Sequence, residues 1–183
     1  MLIDVQSIKD FLGITITTDD DKMMPLCQAA QEYADGYCDR VFDGSTFIEY
    51  HDGDGTDIIQ LRIMPVISIA NIYDDYDRLY GSDSLVAATD YAFNPKTGIV
   101  TRVVGVFMKG VNNLKVTYTA GYGSGYTNLP YDLKQALIYL ATAMYLEGKA
   151  GVQVFENQEI VYRPSYLKKE AHKILDGYRK ILV

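Results

Sequence analysis

The stretch that most invites a chemical reading is Gly121-Tyr122-Gly123-Ser124-Gly125-Tyr126, which follows residues of strand character and precedes a helical pattern. A glycine-rich turn in that setting can cradle phosphates on backbone amides at a helix start. The spacing fails, because Tyr126 stands where G-x-G-x-x-G needs its third glycine and no lysine follows. Ser124 does not fit a nucleophile on a strained turn either, since Tyr122 and Tyr126 occupy the positions that require glycine. The residues predict a flexible strand-to-helix connection. Asp52, Asp54 and Asp57 place three carboxylates on a short Gly-rich turn that could hold calcium, but the spacing of a hand-type loop and its distal glutamate are absent. A hairpin turn is the favoured reading, and a binding module, calcium-dependent through these three aspartates, is the alternative. His51 beside them could act as a base with a carboxylate in a hydrolase, although a histidine at a strand end is more simply solvated. His172 is expected at the surface of a basic helix.

Cys27 and Cys38 lie on one predicted helix, which separates them by roughly 16 Å along its axis, too far for a disulfide. With only two histidines, both remote in sequence, they match no zinc spacing and read as buried free thiols. Residue types and spacings thus yield no catalytic, cofactor-binding or metal-ligating set.

The elements that would carry these residues can be read from periodicity. Asp4 caps a short helix over 4–12 with Val5, Ile8, Phe11 and Leu12 on one side and Gly13 as its stop. A second helix over 19–41 begins at Asp19-Asp20-Asp21, where acidic groups suit the positive end of the helix dipole. Pro25 suggests that its regular part starts a few residues later. Met23, Cys27, Ala30, Ala34, Tyr37 and Val41 step by four and three, and Leu26 and Tyr33 widen this seam.

From about 45 to 120 the period changes to two, which predicts an antiparallel sheet. Thr46–His51 and Asp57–Ile63 read as one hairpin, Tyr91–Phe93 and Ile99–Val103 as another around Asn94–Gly98. Val66–Tyr73 and Leu114–Tyr118 read as further strands, and Asp74–Thr89 as a polar loop. Pro130 opens a helix over 131–147 that is apolar or neutral all round from Ala136 to Leu146, so it needs cover on every side. A last, basic helix over 165–182 carries Leu167, Ala171, Ile174, Tyr178 and Ile181. The expected class is α+β: a bundle of N- and C-terminal helices with an inserted antiparallel sheet, in one domain over 1–183.

Composition agrees with a folded globular protein. Of 183 residues, 48% are hydrophobic and 22% charged, so disorder is excluded as the default. Residues 1–60 hold 13 acidic and 3 basic side chains, a balance of -10 within a total of -7. That front third repels DNA, and only the last helix offers clustered cations. The N-terminus lacks the pattern of a signal peptide, so the chain is expected to stay in the cytoplasm. No apolar run reaches the roughly 20 residues of a membrane span. Sixteen tyrosines against six phenylalanines and no tryptophan suit assembly surfaces.

Three stretches together resemble the head-tail connector family of long-tailed phages, also called head-completion or DNA-packaging proteins. The first is Ala29-Ala30-Gln31-Glu32-Tyr33-Ala34-Asp35-Gly36-Tyr37-Cys38-Asp39-Arg40-Val41-Phe42; the second is Asp90-Tyr91-Ala92-Phe93-Asn94-Pro95-Lys96-Thr97-Gly98-Ile99-Val100. The third is Leu114-Lys115-Val116-Thr117-Tyr118-Thr119-Ala120-Gly121-Tyr122, followed by Leu129-Pro130-Tyr131-Asp132-Leu133-Lys134-Gln135-Ala136. The resemblance implies a non-enzymatic virion subunit without cofactor, assembled in the host bacterial cytoplasm. It would form a ring, expected to be a dodecamer, beneath the portal protein, extending the DNA channel toward a tail-side connector or tail-completion protein. DNA would pass without sequence-specific binding, and no membrane is involved. A ring needs one patch of each subunit to fit a different patch of the next. The expected oligomer or portal interface is Val152, Val154, Phe155, Ile160, Val161 and Tyr162 in the connection, with Leu167, Ile174 and Tyr178 on the last helix.

Overall fold

Asp4 opens the first helix, α1 (Val5–Leu12), by accepting hydrogen bonds from Ser7 N at 2.8 Å and Ser7 Oγ at 2.6 Å, and Gly13 closes it in the left-handed conformation at φ 68°. The second, α2 (Asp20–Cys38), starts at Asp20 and runs through Pro25, which corrects the expectation of a later start. Pro25 is on the exposed side and only one turn in, so its ring meets water and the carbonyl it leaves unpaired lies close to solvent. The predicted seam holds at Met23, Cys27, Ala30 and Ala34, then takes Cys38 instead of Tyr37. Helix α3 (Tyr131–Gly148) is buried over most of its length, and α4 (Pro164–Asp176) buries Leu167, Ala171 and Leu175. Past Asp176, Gly177 and Tyr178 make tightened turn bonds to the carbonyls of Ile174 and Leu175, so Gly177–Arg179 is a turn.

The computed structural model describes residues 1–15, 17–123, 128–149 and 163–179. Its contacts divide the chain into a helical unit, Met1–Phe42 with Ser124–Val183, and a β unit, Asp43–Gly123. In the helical unit α3 packs against α1, α2 and α4. That arrangement supplies the cover its apolar surface demands, each fully buried leucine such as Leu133 or Leu137 contributing about 1.5–3 kcal/mol.

The β unit holds two antiparallel sheets of three strands among the described residues. One is ordered β1 (Ser45–Gly53), β6 (Gly110–Ala120), β3 (Val66–Asp74); the other is β2 (Ile58–Gln60), β5 (Ile99–Arg102), β4 (Tyr91–Phe93). The β4–β5 hairpin matches the sequence reading. The expected hairpin of Thr46–His51 with Asp57–Ile63 does not form: β1 pairs with β6, and β2 with β5. Alternation fixes which face of a strand is buried but leaves its neighbour open. A shared core of Leu61, Val66, Ile72, Val100, Phe107, Leu114, Val116 and Tyr118 fills the β unit. At its two ends the chain passes itself closely: a Cβ on Gly44 would lie 2.6 Å from the Cα of Gly123, so only glycine fits there. The α+β class is as read from the sequence, with two sheets where one was expected.

Candidate assembly interface

Two buried carboxylates fix the shape of the β unit. Glu49, on the inner face of β1, receives Tyr118 Oη from the paired strand β6, His51 Nε2 at 2.9 Å and Arg62 N at 3.1 Å. Burial pushes its carboxyl up, but the bonds from His51, Tyr118 and the Arg62 amide outweigh that and hold it below the ordinary glutamate value. Asp74, at the end of β3, accepts from Arg102 Nη1 at 2.8 Å and Met108 N at 3.0 Å, with Asn113 Nδ2 at 3.4 Å.

His51 is therefore not the solvated strand-end histidine the sequence suggested; its side chain is 13% exposed and bound to Glu49. The pairing does not make a hydrolase dyad, since Glu49 spends both oxygens on three donors inside the protein. Neither the hollow of about 630 Å³ lined by Ala92, Phe93, Pro95 and Ile99 nor that of about 330 Å³ lined by Asp74, Leu85, Asp90 and Arg102 includes His51.

Asp52, Asp54 and Asp57 do not converge. Asp52 accepts from Asn112 N at 2.7 Å and Asp54 from Thr56 N at 2.9 Å and Thr56 Oγ1 at 2.6 Å, while Asp57 offers its carbonyl to Arg102 N. No group of three metal-ligating side chains forms among the described residues. Among the same residues, no helix is long and apolar enough to cross a membrane.

In the helical unit the N-terminal aspartates bind other helices, beyond the capping read from sequence. Asp19 makes no side-chain cap; its carboxylate takes Tyr145 Oη at 2.9 Å, Lys149 Nζ at 2.5 Å and Lys22 Nζ at 3.1 Å, led by Lys149, which holds it well below the usual range. Asp20 reaches Lys9 of α1 at 3.1 Å. An aromatic ladder then joins α2 to α4. Tyr33 Oη lies 2.8 Å from His172 Nε2, Tyr37 donates to Asp176 at 2.7 Å, and the Tyr37 and His172 ring centres are 4.8 Å apart. His172, expected at the surface, is thus half-buried and partnered.

Of the interface residues named from sequence, Leu167 is buried in the helical unit. Ile174 is half-buried, and Tyr178 is half-buried and donates to Asp132 at 2.6 Å. Val152, Val154, Phe155, Ile160, Val161 and Tyr162 lie outside the described residues, as do Ser124, Gly125, Tyr126 and Ile181. Cys27 and Cys38 are free and buried.

The structure brings out a surface that the sequence reading did not single out. On the outer face of the β1-β6-β3 sheet, Tyr50 and Tyr73 both pair with Lys115, and Ile48 pairs with Thr117. The Lys115 ammonium sits 5.2 Å from the Tyr80 ring centre and 5.7 Å from that of Tyr73, with the Tyr50 ring centre 5.6 Å from that of Tyr80. Ile48 is 57% exposed and Tyr50 44%. The signal was present in β1 itself: Ile48 and Tyr50 occupy the face that a half-solvated strand gives to polar residues.

Comparison with known proteins gives a family and a fold. A family model described as head completion protein matches residues 1–181. No curated protein sequence matches the chain. A chain in the neck of an empty gene transfer agent particle, computed with C6 symmetry, superposes with a TM-score of 0.68 at 19% identity, covering 100% of this chain and 91% of that one. A chain in the virion of a native gene transfer agent particle gives 0.67 at 19% identity, with the same coverage of 100% and 91%. A third, in the neck of the native particle computed with C12 symmetry, gives 0.65 at 20% identity, covering 98% and 89%. Likeness at these identities is a likeness of fold.

Proposed function

The chain belongs to the head completion protein family, matched over residues 1–181, and from that membership we propose that it is a non-enzymatic structural subunit of the head-tail connector in a phage or prophage particle. The observation that carries the proposal is the near-complete family match joined to a fold found in particle necks. The subunits form a ring that docks beneath the portal protein and extends the DNA channel toward a tail-side connector or tail-completion protein. The neck structures of similar fold were computed with C6 and C12 symmetry, which supports cyclic assembly. Ring closure requires two different complementary patches on one subunit.

The two units work as one connector-like domain over 1–183, and the finished ring resides in the virion after assembly in the bacterial cytoplasm. The concentration of acidic side chains in residues 1–60 favours a channel in which DNA slides without sequence-specific contact. The apolar residues between Val152 and Tyr162, with the half-buried Ile174 of α4 and Tyr178 in the turn after it, serve the neighbour or the portal, while Leu167 holds α4 in place from inside.

The test is particle mass in solution with and without the cognate portal. A ring on the portal is the expected result, and replacing 152–162 with a Gly/Ser linker of equal length should weaken it while leaving the helices folded. A wild-type chain that neither oligomerises nor binds the portal would overturn the proposal.

A further inference from the structure

Four strands stand at sheet edges, and three of them are poor templates for another strand. β2 and β4 have three residues each. β3 has nine, but its register against β6 shifts between Val66 and Ser68 and again between Ile69 and Asn71. Such irregularities twist an edge away from a partner. β1 keeps an unbroken register with β6 from Ser45 to His51, and its first shift comes only before Gly53. Among the described residues no strand pairs with its other side, and no main-chain bond outside the sheet ladders involves it. The guards that β1 carries lie inward or at its end, Glu49 being bonded within the unit and Asp52 standing beside the register shift, while Thr46, Ile48 and Tyr50 face outward without a charge or a proline. A long, regular, apolar edge of this kind recruits a strand.

We infer that residues 152–162 of one copy add as a strand to the free edge of β1 in the next copy, an inference that rests on the ring proposed above. The occupant is chosen from this chain's own sequence. In an extended strand Val152, Val154, Ile160 and Tyr162 share one face, apolar at both ends with Glu156 and Gln158 between them. The 13 residues between Lys149 and Arg163 extend to at most about 45 Å, or roughly half that as a loop out and back. Charge agrees as well, because Glu156, on the same strand face as Val152 and Val154, would meet a face whose cation is Lys115. Edge and segment are different surfaces, which is what a closed ring requires.

The experiment uses the full chain in the assembled ring, formed alone or on the portal. A Thr46→Lys/Ile48→Lys variant places charge on the free edge at two exposed positions whose strand neighbours are the uncharged Thr119 and Thr117, so the isolated subunit should unfold at the wild-type temperature while ring yield falls about tenfold or more. Independently, a tagged Ile48→Cys chain mixed with untagged chains carrying single cysteines at 152, 154 or 160 should give disulfides between copies on oxidation, with Ala88→Cys, at an exposed position away from β1, as the unreactive control. Hydrogen exchange of wild-type β1 should slow on assembly, a readout that needs no variant. Rings that form undiminished with both lysines, rings in which no disulfide joins tagged to untagged chains, or β1 amides unchanged by assembly would each overturn the inference and leave the ring itself standing. A wild-type chain that makes no ring even with portal would remove the proposed function, and this inference with it.

Discussion

Tyr118→Phe isolates one hydroxyl at the centre of the β unit. Tyr118 is fully buried, donates to Glu49 and accepts from Ile63 N at 3.1 Å. The substitution keeps the ring that packs 5.8 Å from Phe47, so no cavity of consequence forms. It leaves a buried carboxylate short of one donor and a main-chain amide short of its acceptor, a loss of about 2 kcal/mol for a bond to a charged group. For a chain of this length that corresponds to a fall in Tm of about 4–8 °C at pH 7. The pH dependence adds a second check. Glu49 is held below its ordinary value of 4.5, so its carboxylate contributes stability that is fully present above that value and is lost as pH falls through its lowered folded value. Removing one of the donors that lowers it makes the variant less sensitive to acid, and the gap between the two proteins should narrow below about pH 4. Thermal unfolding followed by circular dichroism at neutral pH and in mild acid reads both effects. A gap under about 1 °C at pH 7, or one that stays constant into acid, would refute the reasoning.

Two other outcomes follow from named groups. Burial pushes the thiols of Cys27 and Cys38 up to about 11, so at pH 8 only about one in a thousand is thiolate, and labelling by an aromatic disulfide should be at least about a hundredfold slower than in denaturant; equal rates would place the thiols at the surface. Millimolar calcium should leave Tm unchanged, because Asp52 and Asp54 already accept backbone hydrogen bonds from Asn112 and Thr56; a rise of several degrees would revive the metal-dependent alternative.

The helices were legible because their signals are local. Asp4, Gly13 and Pro130 mark boundaries by backbone chemistry, and the seam from Met23 to Ala34 needs only a period. The β4–β5 hairpin was legible for the same reason, its turn Asn94–Gly98 being closed by Gly98 N to Asn94 O at 2.9 Å. What failed was partnership over distance. Nothing near Glu49 announces Tyr118, and the turn residues after His51 read as a hairpin while the chain crosses to the other sheet. Asp19 was placed correctly at a helix start, yet its bonds to Tyr145 and Lys149 depend on a helix more than a hundred residues away. Of the surfaces proposed for assembly, the apolar run 152–162 stands out by composition and lies outside the described residues, whereas the exposed edge of β1 emerges only from strand order.

The close passage of Gly44 and Gly123 has an engineering consequence. Because the chain leaves the β unit within one methyl group's width of where it entered, everything between those glycines behaves as a plug-in cassette whose two leads are already side by side. A two- or three-residue bridge can replace it, or a foreign domain with adjacent termini can take its seat, with little loop-closure entropy to overcome.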